Sequence, residues 1–255
     1  MTLPPEDKLL RRGGRILAAE VTPALLAAMA GGGFPRPLWE ALDRAGLVRP
    51  AGEPGLAALL ALVRLCARHA APLPVAETLL GRYLLAQAGM APPPGPLSLG
   101  PVAFGAAGDG PAPDFAGGRL SGEPARLPWA RHATAAVIVV GTPAGPRTIL
   151  TGRPAIAEAG LNLAGEPRDR VRLAETPVLA AGPPGQGVSV EGLVRLGALF
   201  RVAAMVGALD RLARLASLHL RQRRADGRSL LGDPGAAQAM AALTAEAAAA
   251  RAAAA

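Results

Sequence analysis

Apolar residues recur at intervals of three and four from Ile16 to about Ala88, in four segments broken by glycine or proline: ILAAEVTPALLAAMA, PLWEALDRAGL, GLAALLALVRLCARHA and AETLLGRYLLAQAG. That spacing follows the turn of an α-helix and predicts a helical region. In the third segment Leu59, Leu62, Val63 and Cys66 share one face while Arg64 and Arg68 lie on another, the pattern of an amphipathic bundle helix. From Met90 the text turns dense in proline and glycine, APPPGPLSLGPVAFGAAGDGPAPDF. After it come ATAAVIVVG, RTILTG and RVRLAETPVLAAG, short apolar runs bounded by Gly or Pro, which predict strands in hairpin and meander order. Near Val190 the helical period returns as EGLVRLGALFRVAAMVGALDRLARLASLHLRQRR. Leu193, Leu196, Phe200, Ala203, Gly207, Asp210 and Arg214 track it, and the small residues Ala203, Ala204, Gly207 and Ala208 allow a neighbouring helix close approach. The last segment, PGAAQAMAALTAEAAAARAAAA, is helical by alanine propensity. The expected class is α+β: an N-terminal helical domain (1–90), a middle β-domain (91–188) built as an antiparallel barrel or sandwich, and an incomplete C-terminal helical bundle (189–255).

Charge changes this picture little. The net charge is +8, but Lys8 is the only lysine among 27 basic residues, and aromatics are 3% of the chain, too few to stack on bases. Nucleic acid is therefore not the expected partner. The apolar run GLAALLALV is far shorter than a membrane helix requires, and the charges at Glu191, Arg195, Arg201 and Asp210 are expected to rule out a span in the long helix. The opening MTLPPEDKLLRRGG lacks the pattern of a secretory signal. The expectation is a soluble, cytoplasmic protein without a membrane partner. Cys66 stands alone, which excludes an internal disulfide and a cysteine zinc site, and His69, His132 and His219 have no ligand spacing, so no metal is expected.

Five stretches in order carry a resemblance. LWEALDRAGLV (Leu38 to Val48) resembles an early helix and turn of the acyl-CoA dehydrogenases, and PLPVAETLLGRYLLAQAGM (Pro72 to Met90) resembles the close of their N-terminal domain. RLSGEPARLPWARHATAAVIVV (Arg119 to Val140) is similar to their middle-domain hairpin, and NLAGEPRDRVRL (Asn162 to Leu173) to a later strand turn. LFRVAAMVGALDRLARLASLHLRQRRADGRSLLG is similar to the first long helix of their C-terminal bundle and its exit. The resemblance implies FAD as cofactor, an acyl-CoA substrate oxidised at its α and β carbons, and a homo-oligomer or a hetero-oligomer with a full-length homologue.

It also implies sites. At the helix exit the family carries arginine, a variable residue, then Gln-Phe-Gly-Arg, whose polar groups contact the FAD pyrophosphate and adenine. Here Arg223, Gly227 and Arg228 occupy three of those places, while Ala225 replaces the glutamine and Asp226 the phenylalanine. Guanidinium forks suit phosphate oxygens and glycine permits close backbone approach. A basic helix C-terminus favoured by the dipole is the other reading of the same arginines. Trp129 is either an aromatic lying against the flavin or a hydrophobic cap on the β-domain edge. The family's Thr-Glu and Gly-Ser flavin segment corresponds to VAFGAAGDGP, where Gly108 and Asp109 keep the turn without the hydroxyls. The catalytic residue is unassigned: the family's helical glutamate slot falls near Gly197, and its commoner slot lies beyond Ala255. Glu191, Asp210, Glu246 and Asp169, the last in a turn beside Arg168, are the remaining acids considered. A bundle with so few helices leaves apolar faces that a partner chain would cover. The alternative to an enzyme is a non-catalytic subunit that keeps the fold and its assembly surfaces.

Overall fold

The computed structural model describes residues 5–50, 52, 54–101, 114–116, 118–142, 144–225 and 227–253. Five helices come first: α1 Pro5–Glu20, α2 Pro23–Met29, α3 Arg36–Arg44, α4 Leu56–Arg68 and α5 Val75–Gln87. The first apolar segment therefore breaks in two. Thr22 caps α2 by accepting the Leu25 N–H at 3.2 Å, and Pro23 starts it, since proline in the first turn loses no helical hydrogen bond. Helix α1 begins well before Ile16, running through Gly13 and Gly14, whose poor helix propensity masked it.

Seven strands follow: β1 Leu97–Pro101, β2 Asp114–Ala116, β3 Arg119–Pro128, β4 Ala135–Thr142, β5 Gly145–Thr151, β6 Ala155–Glu158 and β7 Arg168–Ala181. They form one sheet in the order β1-β4-β5-β7-β3-β2, with β6 paired to β7. The 14-residue β7 is its hinge, pairing with β3 along Arg168–Pro177 and with β5 at Val178–Ala181. The sheet is mixed rather than purely antiparallel, because β1 runs parallel to β4 while the other pairs are antiparallel. The stretch Arg119 to Val140 does not close into a hairpin. Strands β3 and β4 are consecutive, yet β3 pairs with β2 and β7, and β4 with β1 and β5. After the sheet come α6 Val190–Gln222, the two-residue strands β8 Arg224–Ala225 and β9 Arg228–Ser229, and α7 Pro234–Ala253.

The chain divides into two compact units. One comprises Thr22–Pro54 and Pro72–Ala198 and holds the whole seven-stranded sheet. Its core is Leu120, Leu127, Ala136, Ile138, Val140, Ile149, Val171 and Leu173. Helix α5 is covered nearly all round, and Thr78 on it accepts the Leu97 N–H at 3.0 Å, tying the helix to β1. Gly81 leaves room there for Val137 and Leu97, where a Cβ would stand 3.3 Å from the valine. The other unit comprises Met1–Val21, Gly55–Ala71 and Leu199–Ala255. In it α1 lies on α4 through Gly14 and Leu65, and α6 lies on α4 through Gly207.

Among the described residues α6 is the one helix long and apolar enough, by length and composition alone, to cross a membrane. Its charges thus do not exclude a span as the sequence led us to expect. Its geometry within the unit is that of a packed helix: an added Gly207 Cβ would fall 2.2 Å from the Arg64 carbonyl oxygen, and Asp210 is ion-paired to Arg64 at 2.7 Å and Arg251 at 2.8 Å.

Candidate functional site

The exit of α6 is built by a serine and a glycine. Helix carbonyls at a C-terminus lack intrahelical partners. Ser229 Oγ meets this need by donating to the Leu220 carbonyl at 2.9 Å, with the Arg221 carbonyl at 3.3 Å, and it accepts the Leu231 N–H at 3.3 Å. The Arg223 N–H continues the helix by donating to the His219 carbonyl at 2.9 Å. Strands β8 and β9 then reverse the chain around Gly227, which has φ +77° and no heavy atom within 4 Å of an added Cβ. Left-handed backbone of this kind favours glycine. Arg224 donates to the Gly227 carbonyl at 3.1 Å and steadies the turn.

Arg221, Arg223, Arg224 and Arg228 are all exposed here, so Arg223, Gly227 and Arg228 share one small basic turn. Both readings of these arginines fit: cations favour the negative end of the helix dipole, and the same guanidinium groups present open forks to an anion. Asp226 lies outside the described residues, as do Gly108, Asp109 and the rest of VAFGAAGDGP.

Trp129 belongs to the other unit, between β3 and a short 3-10 turn at Ala130–His132. Its backbone is left-handed at φ +57°, and its N–H donates to the Pro167 carbonyl at 2.8 Å. The side chain is 2% exposed, well beyond the half-burial of an edge cap. His132 lies against it with ring centres 6.1 Å apart, and Phe34 stacks on His132 at 5.2 Å. The His132 Nε2 is 2.8 Å from the Gly32 carbonyl oxygen. Gly32, at φ +92°, sits so close to Leu161 and Pro167 that a Cβ would meet them at 2.9 and 3.3 Å. The Gly31–Pro35 connection between α2 and α3 thus lies across this region as a cover. Sequence reading missed it, and the run GGGFP was its only signal.

A second feature missed in sequence is the clamp on Asp169. This aspartate has no exposed surface, and its partner is Arg131 rather than the adjacent Arg168. It accepts the Arg131 backbone N–H at 2.9 Å, the Arg131 Nε at 2.9 Å, the Arg131 Nη2, and the Gly160 N–H at 3.1 Å. Burial alone would raise the carboxyl's pKa, but the Arg131 and Gly160 hydrogen bonds outweigh it and hold it below the usual carboxylate range. Asp210 behaves alike: burial opposes ionisation, and the Arg64 and Arg251 guanidinium groups overcome it. Glu191 is exposed and paired to Arg195 at 2.6 Å. Asp169 and Asp210 are thus held ionised by guanidinium groups, and α6 carries glycine at position 197. Burial pushes the Cys66 thiol up to about 12, which leaves it an inert core residue. Among the described residues no group of His, Cys, Asp and Glu has metal-site geometry.

No family model matches the sequence, and no curated protein matches it. Solved structures do match. The chain is 22% identical to a Tcur3481-Tcur3483 steroid acyl-CoA dehydrogenase variant, over 95% of this chain and 73% of that one, with a TM-score of 0.79. It is 19% identical to the ChsE4-ChsE5 complex from Mycobacterium tuberculosis, over 97% and 75%, with a TM-score of 0.75. To butyryl-CoA dehydrogenase from Megasphaera elsdenii it is 13% identical, over 98% and 78%, with a TM-score of 0.72. The chain has the acyl-CoA dehydrogenase fold.

Proposed function

We propose that this chain is a subunit of a flavin-dependent acyl-CoA dehydrogenase-type assembly that desaturates an acyl-CoA thioester between its α and β carbons. The observation that carries this reading is the open basic turn at the end of α6, with Arg223 and Arg228 exposed on either side of Gly227, in a chain of that fold. A helix C-terminus repels anions, so a phosphate is held there only by cations that outweigh the dipole. Two guanidinium forks do so, and the open space around Gly227 lets a pyrophosphate approach the backbone. FAD bound there would supply the acceptor for the hydride leaving the β-carbon.

The residues fit the phosphate half of the cofactor better than the ring half. Trp129, at 2% exposure, offers no face for a flavin to stack on until the Phe34 and His132 cover moves aside. The α-proton base is also a poor match to the acids at hand. A carboxylate pinned by arginine has its proton affinity lowered, which weakens it as a base. Asp169 and Asp210 are so pinned, and Glu191 is an exposed residue paired to Arg195. These pairings favour a second reading, a non-catalytic subunit whose fold and arginines serve an active site completed by another chain. One of the matching structures is the ChsE4-ChsE5 complex, which supports an assembly of unlike chains.

Titrating the protein with FAD, ADP and riboflavin tests the phosphate reading. FAD and ADP binding that weakens with salt, with riboflavin not bound, supports it. Arg223→Ala and Arg228→Ala should each weaken FAD binding by about tenfold, the loss of one charge-assisted contact. Equal binding of riboflavin, or indifference to both substitutions, would sink it. Acyl-CoA-dependent reduction of a dye separates the catalytic from the non-catalytic subunit.

A further inference from the structure

Strand β7 begins with two unlike faces. Asp169, Val171 and Leu173 are buried on the inner one, while Arg168, Arg170 and Arg172 alternate with them on the outer one and are all exposed. Pairing adds a fourth cation: Arg126 of β3 stands directly opposite Arg170, and Glu158 of β6 is Arg170's partner on the other side. Glu158 lies 3.8 Å from both the Arg126 and the Arg170 guanidinium groups, beyond hydrogen-bond reach of either. Among the described residues neither Arg168 nor Arg172 has a carboxylate partner, and the Asp169 carboxylate between them is spent on Arg131. Like charges opposite one another on neighbouring strands destabilise a sheet, and an exposed ion pair offsets little of that. These four guanidinium groups around one carboxylate repel one another until further anions meet them.

Charge and spacing together select the occupant. Alternate residues of a strand repeat at about 6.6–6.8 Å, so Arg168, Arg170 and Arg172 form a row about 13 Å long. A second extended chain has the same repeat, and carboxylates at every other position along it stay in step with the row. On a helix the i, i+4 positions repeat at about 6.0 Å and turn by about 40° at each step, which carries them out of line. A nucleic acid would find few aromatic platforms in a chain with 3% aromatics, and a second copy of this face would bring the same positive surplus. We propose that the outer face of β7 and β3 docks an extended acidic segment of a different protein, with Glu or Asp at alternate positions meeting Arg168, Arg170 and Arg172. Guanidinium forks match carboxylates in paired hydrogen bonds, which gives the row its preference for this partner. The face uses no residue of the α6 exit, so the inference goes beyond the flavin reading and is independent of it.

Two synthetic peptides of one composition are the probes, the first alternating glutamate with threonine and the second carrying its glutamates in a block. A peptide alternating lysine with threonine is the control. Anisotropy with the full chain should show the alternating glutamate peptide binding at least about tenfold tighter than the block peptide, with binding weakened by salt and none of the lysine peptide. The double variant Arg168→Gln, Arg172→Gln should lose at least about tenfold of that binding without a lower melting temperature, because both side chains are exposed. Equal binding of the alternating and block peptides, binding of neither, or a double variant that binds like the parent overturns the proposal. Tighter binding of single-stranded DNA or inorganic polyphosphate than of the alternating peptide would assign the face to phosphates and overturn it too. So would loss of peptide binding in Arg223→Ala, Arg228→Ala, which would move the contact to the α6 exit. FAD titrated in parallel keeps the failures apart: flavin without peptide binding overturns this inference alone, and peptide without flavin binding overturns the cofactor reading alone.

Discussion

At the scale of single residues, Asp169 and Trp129 show how little of a side chain's role is visible in its neighbours along the chain. Asp169 sits beside Arg168 and Arg170 in sequence, but its carboxylate is satisfied by Arg131 and Gly160 from elsewhere in the fold. Because its folded pKa is depressed, the clamp contributes stability that is fully present above the unfolded value of ~3.9 and is lost as pH falls through the lower folded value. Thermal melts should therefore drop below about pH 4. Asp169→Asn should flatten that drop and cost about 3 kcal/mol at neutral pH, since it leaves Arg131 facing a neutral group. A melting curve unchanged by Asp169→Asn would contradict the clamp. Trp129→Ala should cost about 3–5 kcal/mol in chemical denaturation, the usual loss for a buried aromatic. Arg223→Ala and Arg228→Ala, on the exposed turn, should stay within about 0.5 kcal/mol of the parent. That contrast separates side chains that hold the fold from side chains free to hold a ligand.

At the scale of elements, the long α6 and the strands β4, β5 and β7 were legible in the sequence because their periods run unbroken over many residues. Helix α1 was not, since Gly13 and Gly14 lower local propensity, and the contact of Gly14 with Leu65 of α4 is one that only tertiary packing reveals. The parallel pairing of β1 with β4 was equally hidden: strand patterns give faces, not partners. At the α6 exit the sequence picked out the arginines and Gly227, but not Ser229, whose hydroxyl ties the helix end to the turn. Two glycines of α6 make a matched test of packing. Gly207→Ala gains helix propensity but drives a methyl into the Arg64 carbonyl, so it should destabilise by about 1–3 kcal/mol. Gly197→Ala meets nothing within 4 Å and should stabilise by about 0.5–1 kcal/mol. Denaturant midpoints that moved the same way for both would contradict the observed α4–α6 contact.

At the scale of the whole molecule, a chain with the acyl-CoA dehydrogenase fold carries an open arginine turn, a covered tryptophan and acids pinned by guanidinium groups. The proposed division of labour follows from that combination: this chain lends phosphate contacts and scaffold, and a partner chain completes the site. The direct measurement is the flavin content of the protein purified alone and after co-expression with an acyl-CoA dehydrogenase homologue from the same genome, with and without the pair Arg223→Ala, Arg228→Ala. The account predicts a co-purifying complex that carries FAD and loses most of it in the double variant. A protein without flavin in both preparations, or a complex whose flavin is unaffected by losing both arginines, would contradict it.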